Sequence, residues 1–370
     1  MSPYAEPQLL LPPAPARTAP VPAPASLTPN WFASVMATGI VATAAVSLPS
    51  GATVLRPFAT AVWLLAAALL TTLLVIAARQ RRTVVRHAAD PVLAHFYGAP
   101  PMALLTVGAG TLLLGPDPIG DRAAVAVAAT LWVIGTLTGL LAAVAVPYLR
   151  FTRHATGGTG EAFGGWLMPV VAPMVSATTG APLVPHAPAG QIRLTLLLGC
   201  YAMFGLSLIA ALIVTTLIWQ RLALHTAGPA GTVPTLWIVL GPIGQAITAA
   251  NALGGVAATA LPHPYPQGFA ALGVVLGVPL WGFAALWGSL ALAVTVRTAR
   301  RGLPFSLTWW SFTFPVGTCV TGTSALAAQT GATMFRVVAV LLYAALVTAW
   351  LTVGVRTLRM LRPAISRAAG

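Results

Sequence analysis

Residues 309–326 read WWSFTFPVGTCVTGTSAL, and this stretch decides the fold. It is apolar enough to enter a bilayer and poorly built for a helix that faces lipid. Pro315 stands in its middle, where a proline removes one backbone hydrogen bond and clashes with the preceding turn. Hydrocarbon tolerates that only where protein or water satisfies the freed carbonyl, which places the stretch inside a bundle. Behind the proline run Thr318, Thr321, Thr323 and Ser324 with Gly317 and Gly322, small or hydroxylated residues that suit helix contact. Ahead of it stand Phe312 and Phe314. Aromatic bulk, a kink and an uncharged hydroxyl run are what a narrow path with a hydrophobic constriction requires. An interfacial aromatic cluster followed by close helix packing would use the same residues.

The rest of the chain agrees with a membrane setting. Its mean hydropathy is +0.87, and 58% of residues are hydrophobic against 6% charged, where soluble domains carry about 25% charged residues. All 19 basic residues are arginine. The net charge of +14 would suit nucleic acid, but these arginines lie between apolar spans, so membrane topology explains them and no nucleic-acid partner is expected. Cys200 and Cys319 fall within predicted spans and form neither a disulfide framework nor a zinc motif.

Apolar runs of about 20 residues bounded by Arg, Gly or Pro mark ten spans. They cover 30–48, 54–78, 96–115, 122–147, 164–181, 193–219, 234–261, 269–296, 305–327 and 334–355. Residues 1–29, rich in Pro and Ala, read as a disordered cytoplasmic tail. Residues 30–361 form the transport domain, and 362–370 a short cytoplasmic tail. With the N-terminus inside, the loops on its side hold 15 arginines and the far side keeps Arg56, Arg122, Arg193 and Arg336. That split predicts a multi-pass protein of the cell (inner) membrane with both termini cytoplasmic.

A repeat appears when the odd-numbered spans are aligned. They open NWFASVMATGI from Asn30, HFYGAPPMALL from His95, GWLMPVVAPMV from Gly165, LWIVLGPIGQA from Leu236 and TWWSFTFPVGT from Thr308. Trp31, Tyr97, Trp166, Trp237 and Trp309 are separated by 66, 69, 71 and 72 residues, one helical hairpin per step. Four of the five openings bring Pro or Gly-Pro soon after the aromatic, and the first has Gly39. The even spans are rich in Leu, Val and Ala and nearly free of Pro. Five kinked helices inside five straight ones enclose an axis, most simply a pore.

No Asp, Glu, Lys or Arg lies in the middle of a span, and the six histidines sit in loops or at span ends. Intramembrane carboxylates are the usual relays of coupled transporters, so their absence argues against a cation channel and weakens a proton-coupled carrier. It also leaves no ligand pair for a mid-membrane metal or haem, and no cofactor or enzymatic chemistry is expected. Neutral hydrogen-bond donors remain. The candidate pore-lining residues are Thr38, Gly39, Thr106, Pro173, Ser176, Thr248, Asn251, Pro315, Thr318 and Thr321, with Thr178 among the same inner spans. Donors of this kind, with Arg-rich mouths, favour an anion. Any one threonine serves equally for helix-to-helix hydrogen bonding, so the inference rests on the set.

NWFASVMATGIV, WLMPVVAPMVSA, GPIGQ and WWSFTFPVG together resemble the inner-helix signatures of the tellurite-resistance/dicarboxylate transporter family. That family includes malate permeases, sulfite efflux proteins and slow-type anion channels. The resemblance runs from about Asn30 to Leu361. It implies ten helices as five hairpins around a quasi-fivefold pore and a homotrimer with one pore per subunit. It also implies a phenylalanine gate in the ninth helix, which falls on Phe314, with Phe312 as the alternative. The function so implied is transport of small inorganic or organic anions across the lipid bilayer, with C4-dicarboxylates such as malate, sulfite, tellurite, chloride and nitrate as candidates. A proton-coupled carrier of the same fold is the alternative, and would need a mouth histidine such as His95 or His263 to titrate.

Overall fold

The computed structural model describes residues 27–153 and 159–368, and every regular element among them is helical. Ten α-helices carry the architecture. They are α1 (Phe32–Ser47), α2 (Ala52–Arg79), α3 (Ala99–Leu114), α4 (Asp121–Arg153), α5 (Leu167–Gly180), α6 (Gln191–His225), α7 (Leu240–Val256), α8 (Tyr265–Ala299), α9 (Phe314–Thr330) and α10 (Thr333–Ala368). Among the described residues, nine helical runs are long and apolar enough to cross a membrane. The ninth expected span falls short because its helix is interrupted. A turn of 3₁₀-helix, Leu307–Phe312, stops before Thr313, and α9 then runs for 17 residues.

Pro315 causes that interruption. Its ring would collide with the carbonyl of Ser311 if one helix ran through both, so the chain breaks and restarts with the proline in the first turn of α9. The first N–H groups of a helix have no intrahelical partner, so a proline there removes nothing. The expected mid-span kink is therefore a helix start. The same construction recurs in every odd span, each opening with a 3₁₀ segment that carries its aromatic. These are Pro29–Trp31, Leu93–Gly98, Gly164–Trp166, Ala230–Val239 and Leu307–Phe312. Pro100, Pro101, Pro169 and Pro242 then fall in the first turns of α3, α5 and α7. The contrast of kinked odd and straight even helices does not hold. Pro173 is the interior proline of α5, while Pro57, Pro147 and Pro279 lie inside α2, α4 and α8.

Burial separates the two sets where proline does not. In the runs containing α1, α3, α5 and α7, 72% to 83% of the most apolar stretch is buried, against 17% to 33% for α2, α4, α6, α8 and α10. Helix α9 buries 12 of its 17 residues. Each buried helix packs on the next: α1 on α3, α3 on α5, α5 on α7, α7 on α9, and α9 back on α1. Each also packs on the outer helix that follows it. Tryptophans tie the sets together. Trp132 Nε1 of α4 donates to Ser176 O at 2.8 Å, Trp287 Nε1 of α8 to Leu236 O at 2.9 Å, and Trp350 Nε1 of α10 to Thr38 Oγ1 at 3.1 Å. The described residues reach into both expected tails. Leu27 is buried and its N–H donates to Gln80 Oε1 at 3.0 Å, while α10 continues to Ala368; the remainder of the N-terminal stretch, 1–26, lies outside the described residues.

Glycine sets the spacing between buried helices. A Cβ on Gly244 of α7 would fall 2.5 Å from the Thr318 carbonyl carbon of α9, and one on Gly317 would fall 2.4 Å from Ile40 Cγ1 of α1. Backbone this close leaves no room for a methyl group. Gly244→Ala is expected to destabilise the detergent-solubilised protein by about 1–3 kcal/mol, the usual range for overpacking. Gly205→Ala, on a face of α6 with nothing within 4 Å, should be neutral or stabilising by up to about 1 kcal/mol. Equal unfolding midpoints for the two variants would mean that α7 and α9 do not pack at Gly244.

Candidate functional site

Two cavities lie between the buried helices, and each is lined by all five odd spans. The larger, about 370 Å³, is walled by the middle and C-terminal turns of α1, α3, α5, α7 and α9, including Ile40, Thr43, Thr106, Val175, Gln245, Thr248, Asn251, Thr321 and Ser324. The smaller, about 30 Å³, is walled by the opening turns, with Met36, Met102, Met168, Val171, Pro242 and Phe314. That is the room of about one water, whereas the larger volume is in the range of small-ligand sites. Their walls are adjacent. Met36 and Ile40, Met102 and Thr106, and Val171 and Val175 are each four residues apart, about 6 Å along the helix. On α9 the gap, from Pro315 to Thr321, is six residues. Phe314, Met36, Met102 and Val171, all buried, form an apolar layer on the small cavity's side.

The sequence-predicted residues divide evenly. Phe314 and Pro315 line the small cavity, and Thr106, Thr248, Asn251 and Thr321 the large one. The other six line neither. Thr38 accepts from Trp350 and faces a lateral groove shared with α2 and α10. Gly39 packs on Thr106, where a Cβ would meet Cγ2 at 2.7 Å. Pro173 is buried inside α5, and the Ser176 carbonyl accepts from Trp132 on the side of α4. Thr318 donates to Pro315 O at 2.7 Å and lies within reach of Leu240 O at the α7 contact. Phe312 sits edge-on between Trp237 and Trp309, 5.6 Å from each ring centre. Residues three or four apart share a helical face, and the sequence spacing does not say which face looks inward.

The hydroxyls of the large cavity are mostly engaged with their own helices. Thr106 donates to Met102 O at 2.7 Å, Thr178 to Met174 O at 3.0 Å and Thr179 to Val175 O at 2.8 Å. Thr248 and Thr321 meet across the α7–α9 contact at 2.8 Å. Gln245, Asn251 and Ser324 differ. All three are buried, and Gln245 Oε1, Asn251 Oδ1 and Ser324 Oγ have no hydrogen-bond partner. Gln245 was not among the predicted residues, although GPIGQ ends on it. The available signal was a carboxamide within an apolar span, a side chain matched in hydrogen-bonding capacity on that helix only by Asn251.

Charge is confined to the ends. Arg56 Nε bonds Asp117 Oδ2 at 2.7 Å, and this contact holds the Asp117 carboxyl below its ordinary range. Arg150 pairs with Glu161 and lies 4.8 Å over the Trp166 ring. The buried Arg221 donates to Ala162 O and Ala227 O, and Arg193 to Ala187 O and Pro185 O. The expected Arg-rich mouths thus include several arginines that brace loops. His95 is buried and stacked on Trp166 at 5.8 Å, which places it in the packing of the opening turns. Among the described residues, no Asp, Glu, His, Arg, Cys or Tyr lines either cavity.

An all-helical chain with membrane-length spans and uncharged cavities enclosed by its buried helices is a multi-pass membrane transport protein. Residues 26–358 match the SLAC1 family, described as voltage-dependent anion channel, and the chain belongs to that family of channels and transporters. It is 27% identical over 341 residues to the sulfite efflux pump SSU1 of Arthroderma otae, covering 88% of each chain. Identity to the SSU1 sulfite efflux pump of Trichophyton rubrum is 27% over 325 residues, 84% of each. A transporter of uncharacterised role from Methanocaldococcus jannaschii, MJ0576, is 26% identical over 301 residues, 80% of this chain and 82% of its own. The resemblance read from the inner-helix motifs is thereby shown.

The Thr248–Thr321 contact yields a direct check on the site's geometry. A double-mutant cycle of Thr248→Val and Thr321→Val, read by unfolding in detergent, should give a coupling energy of about 0.6 kcal/mol, typical of hydrogen bonds between membrane helices. Strict additivity would contradict the hydroxyl pair.

Proposed function

We propose that the protein passes small anions down their gradient through a central pore in which the two cavities are consecutive chambers and Phe314 is the gate. The observation that carries this reading is that all five odd spans wall both chambers, the smaller one lined by a buried apolar layer. In this reading the ten helices are five hairpins around a quasi-fivefold axis, and the 17-residue α9 with its 3₁₀ lead-in is the ninth span. The arginine distribution sets both termini on the cytoplasmic side of the cell membrane, so the small chamber faces the cytoplasm. The exposed apolar surfaces of α2, α4, α6, α8 and α10 are available to lipid and to two further copies in a homotrimer.

Sulfite leads the substrate candidates because the relatives from Arthroderma and Trichophyton are sulfite efflux pumps. Chloride, nitrate, tellurite and C4-dicarboxylates such as malate follow from the family resemblance. A proton-coupled carrier needs a titrating group on the path. The chamber walls supply none among the described residues, which favours passive flux.

Proteoliposomes loaded with sulfite, chloride, nitrate or malate test the reading. Phe314→Ala should raise flux about tenfold, equivalent to lowering the barrier by about 1.4 kcal/mol, and a protonophore should change neither protein. Flux that collapses with the protonophore, or that Phe314→Ala lowers, would replace the gated channel with a coupled carrier.

A further inference from the structure

The large chamber presents an unusual balance of donors and acceptors. A threonine hydroxyl has one proton and two lone pairs, so a threonine that donates to its own helix shows the cavity an acceptor only. Thr106, Thr178 and Thr179 are in that state, and Thr248 also has Gly244 O within 2.9 Å. The hydroxyls expected to donate to an anion are thus largely committed elsewhere. Asn251 is tied through Nδ2 to Ile247 O and to Gly273 O of α8.

Asn251 Oδ1, like Gln245 Oε1, is buried without a partner, and Gln245 is the carboxamide at the chamber's inner end. Gly241 and Pro242 of the same helix line the small chamber, so Gln245 stands one turn beyond the Phe314 layer. Its Oε1 is buried without a partner, and the same amide carries two N–H donors. Exchanging the amide's oxygen and nitrogen leaves the deficit unchanged, since the buried atom lacks a partner either way. Buried polar groups are rarely left unpaired, and the Gln245 side chain lines the chamber, where an entering group can reach its amide. Ser324, with its own unpartnered hydroxyl, lines the chamber further from the Phe314 layer.

We infer that Gln245 is a selectivity residue and that the ion it receives is a monoprotonated oxyanion, one that accepts from the amide N–H and donates its own acid proton to the amide or threonine oxygens. Chloride and nitrate can only accept, so they leave the chamber's acceptors unmatched. Leaving site acceptors unpaired is the strongest form of rejection a polar site can make. The inference rests on the transport reading above and adds the substrate class and the residue that reads it.

The experiment is flux into proteoliposomes of wild type and Gln245→Met, corrected for protein-free vesicles. The ions are chloride, nitrate and sulfite, with sulfite one unit below and one unit above its second ionisation. Wild type should pass hydrogensulfite about tenfold faster than chloride and lose that preference at the higher pH. In Gln245→Met, hydrogensulfite flux should fall about tenfold while chloride is unchanged or faster. A second measurement uses wild type alone, so that folding of the variant is not at issue: external hydrogensulfite should slow chloride flux, and the doubly ionised form should not. Equal loss of all three ions in the variant, or competition that ignores pH, would overturn the inference and leave anion transport standing. Absence of flux for every ion, in Phe314→Ala as well, would remove both readings together.

Discussion

The constraint on which the rest of this structure depends is that hydrocarbon offers no hydrogen bonds, so every backbone N–H and C=O in a span must be satisfied by protein. It explains where the prolines that open four of the odd helices fall. Placed at Pro100, Pro169, Pro242 and Pro315, they sit in first turns, where the lost N–H had no partner to lose. It also explains why the 3₁₀ openings are buried among aromatics. An irregular backbone at membrane depth has to be enclosed, and Trp166 and Trp310, with His95 stacked on the former, enclose it. The same constraint draws the threonine hydroxyls onto helix carbonyls and the tryptophan N–H groups of the outer helices onto the inner ones.

Close packing of the buried helices follows from the second property of lipid, that apolar side chains gain little by leaving it for one another. Association then relies on van der Waals contact and hydrogen bonds, which reward small residues. Gly244 against Thr318, Gly39 against Thr106 and Gly317 against Ile40 bring backbones together. Tight contact on the lateral faces leaves the cavities where side chains diverge, along the line where the five helices face one another. Glycine and several hydroxyls expected from the sequence to line a pore therefore serve helix contacts beside the cavities.

Much of this was legible in the sequence because it follows from composition and period. Span positions, the division into odd and even helices, and family membership came from apolar run length, the aromatic repeat and four motifs. The structure places both cavities among the helices that repeat selected. Three things were not legible. A proline inside a long apolar run reads as a kink, and whether the helix bends or restarts depends on the dihedrals of a residue such as Thr313. Thr38, Ser176 and Thr318 have the right chemistry on the wrong faces, since a 100° step per residue moves a side chain from cavity to contact within two positions. Gln245 was hidden by its motif, because GPIGQ reads as a family signature before it reads as an unpaired amide.

An uncharged path also sets what kind of discrimination is available. A fixed arginine in the chamber would hold any anion and release it slowly, while a wall of acceptors alone would repel it. The observed arrangement lies between these limits. Its hydroxyls are held by helix carbonyls, its cations are at the loops, and its unpartnered groups belong to two carboxamides and a serine. Conduction of the proposed kind needs binding strong enough to strip part of the hydration shell and weak enough to allow exit. In the proposed reading the apolar layer at Phe314 adds a barrier that depends on water and not on charge. Selectivity at Gln245 and closure at Phe314 would then lie on different helices, α7 and α9, so a change of ion preference need not disturb closure.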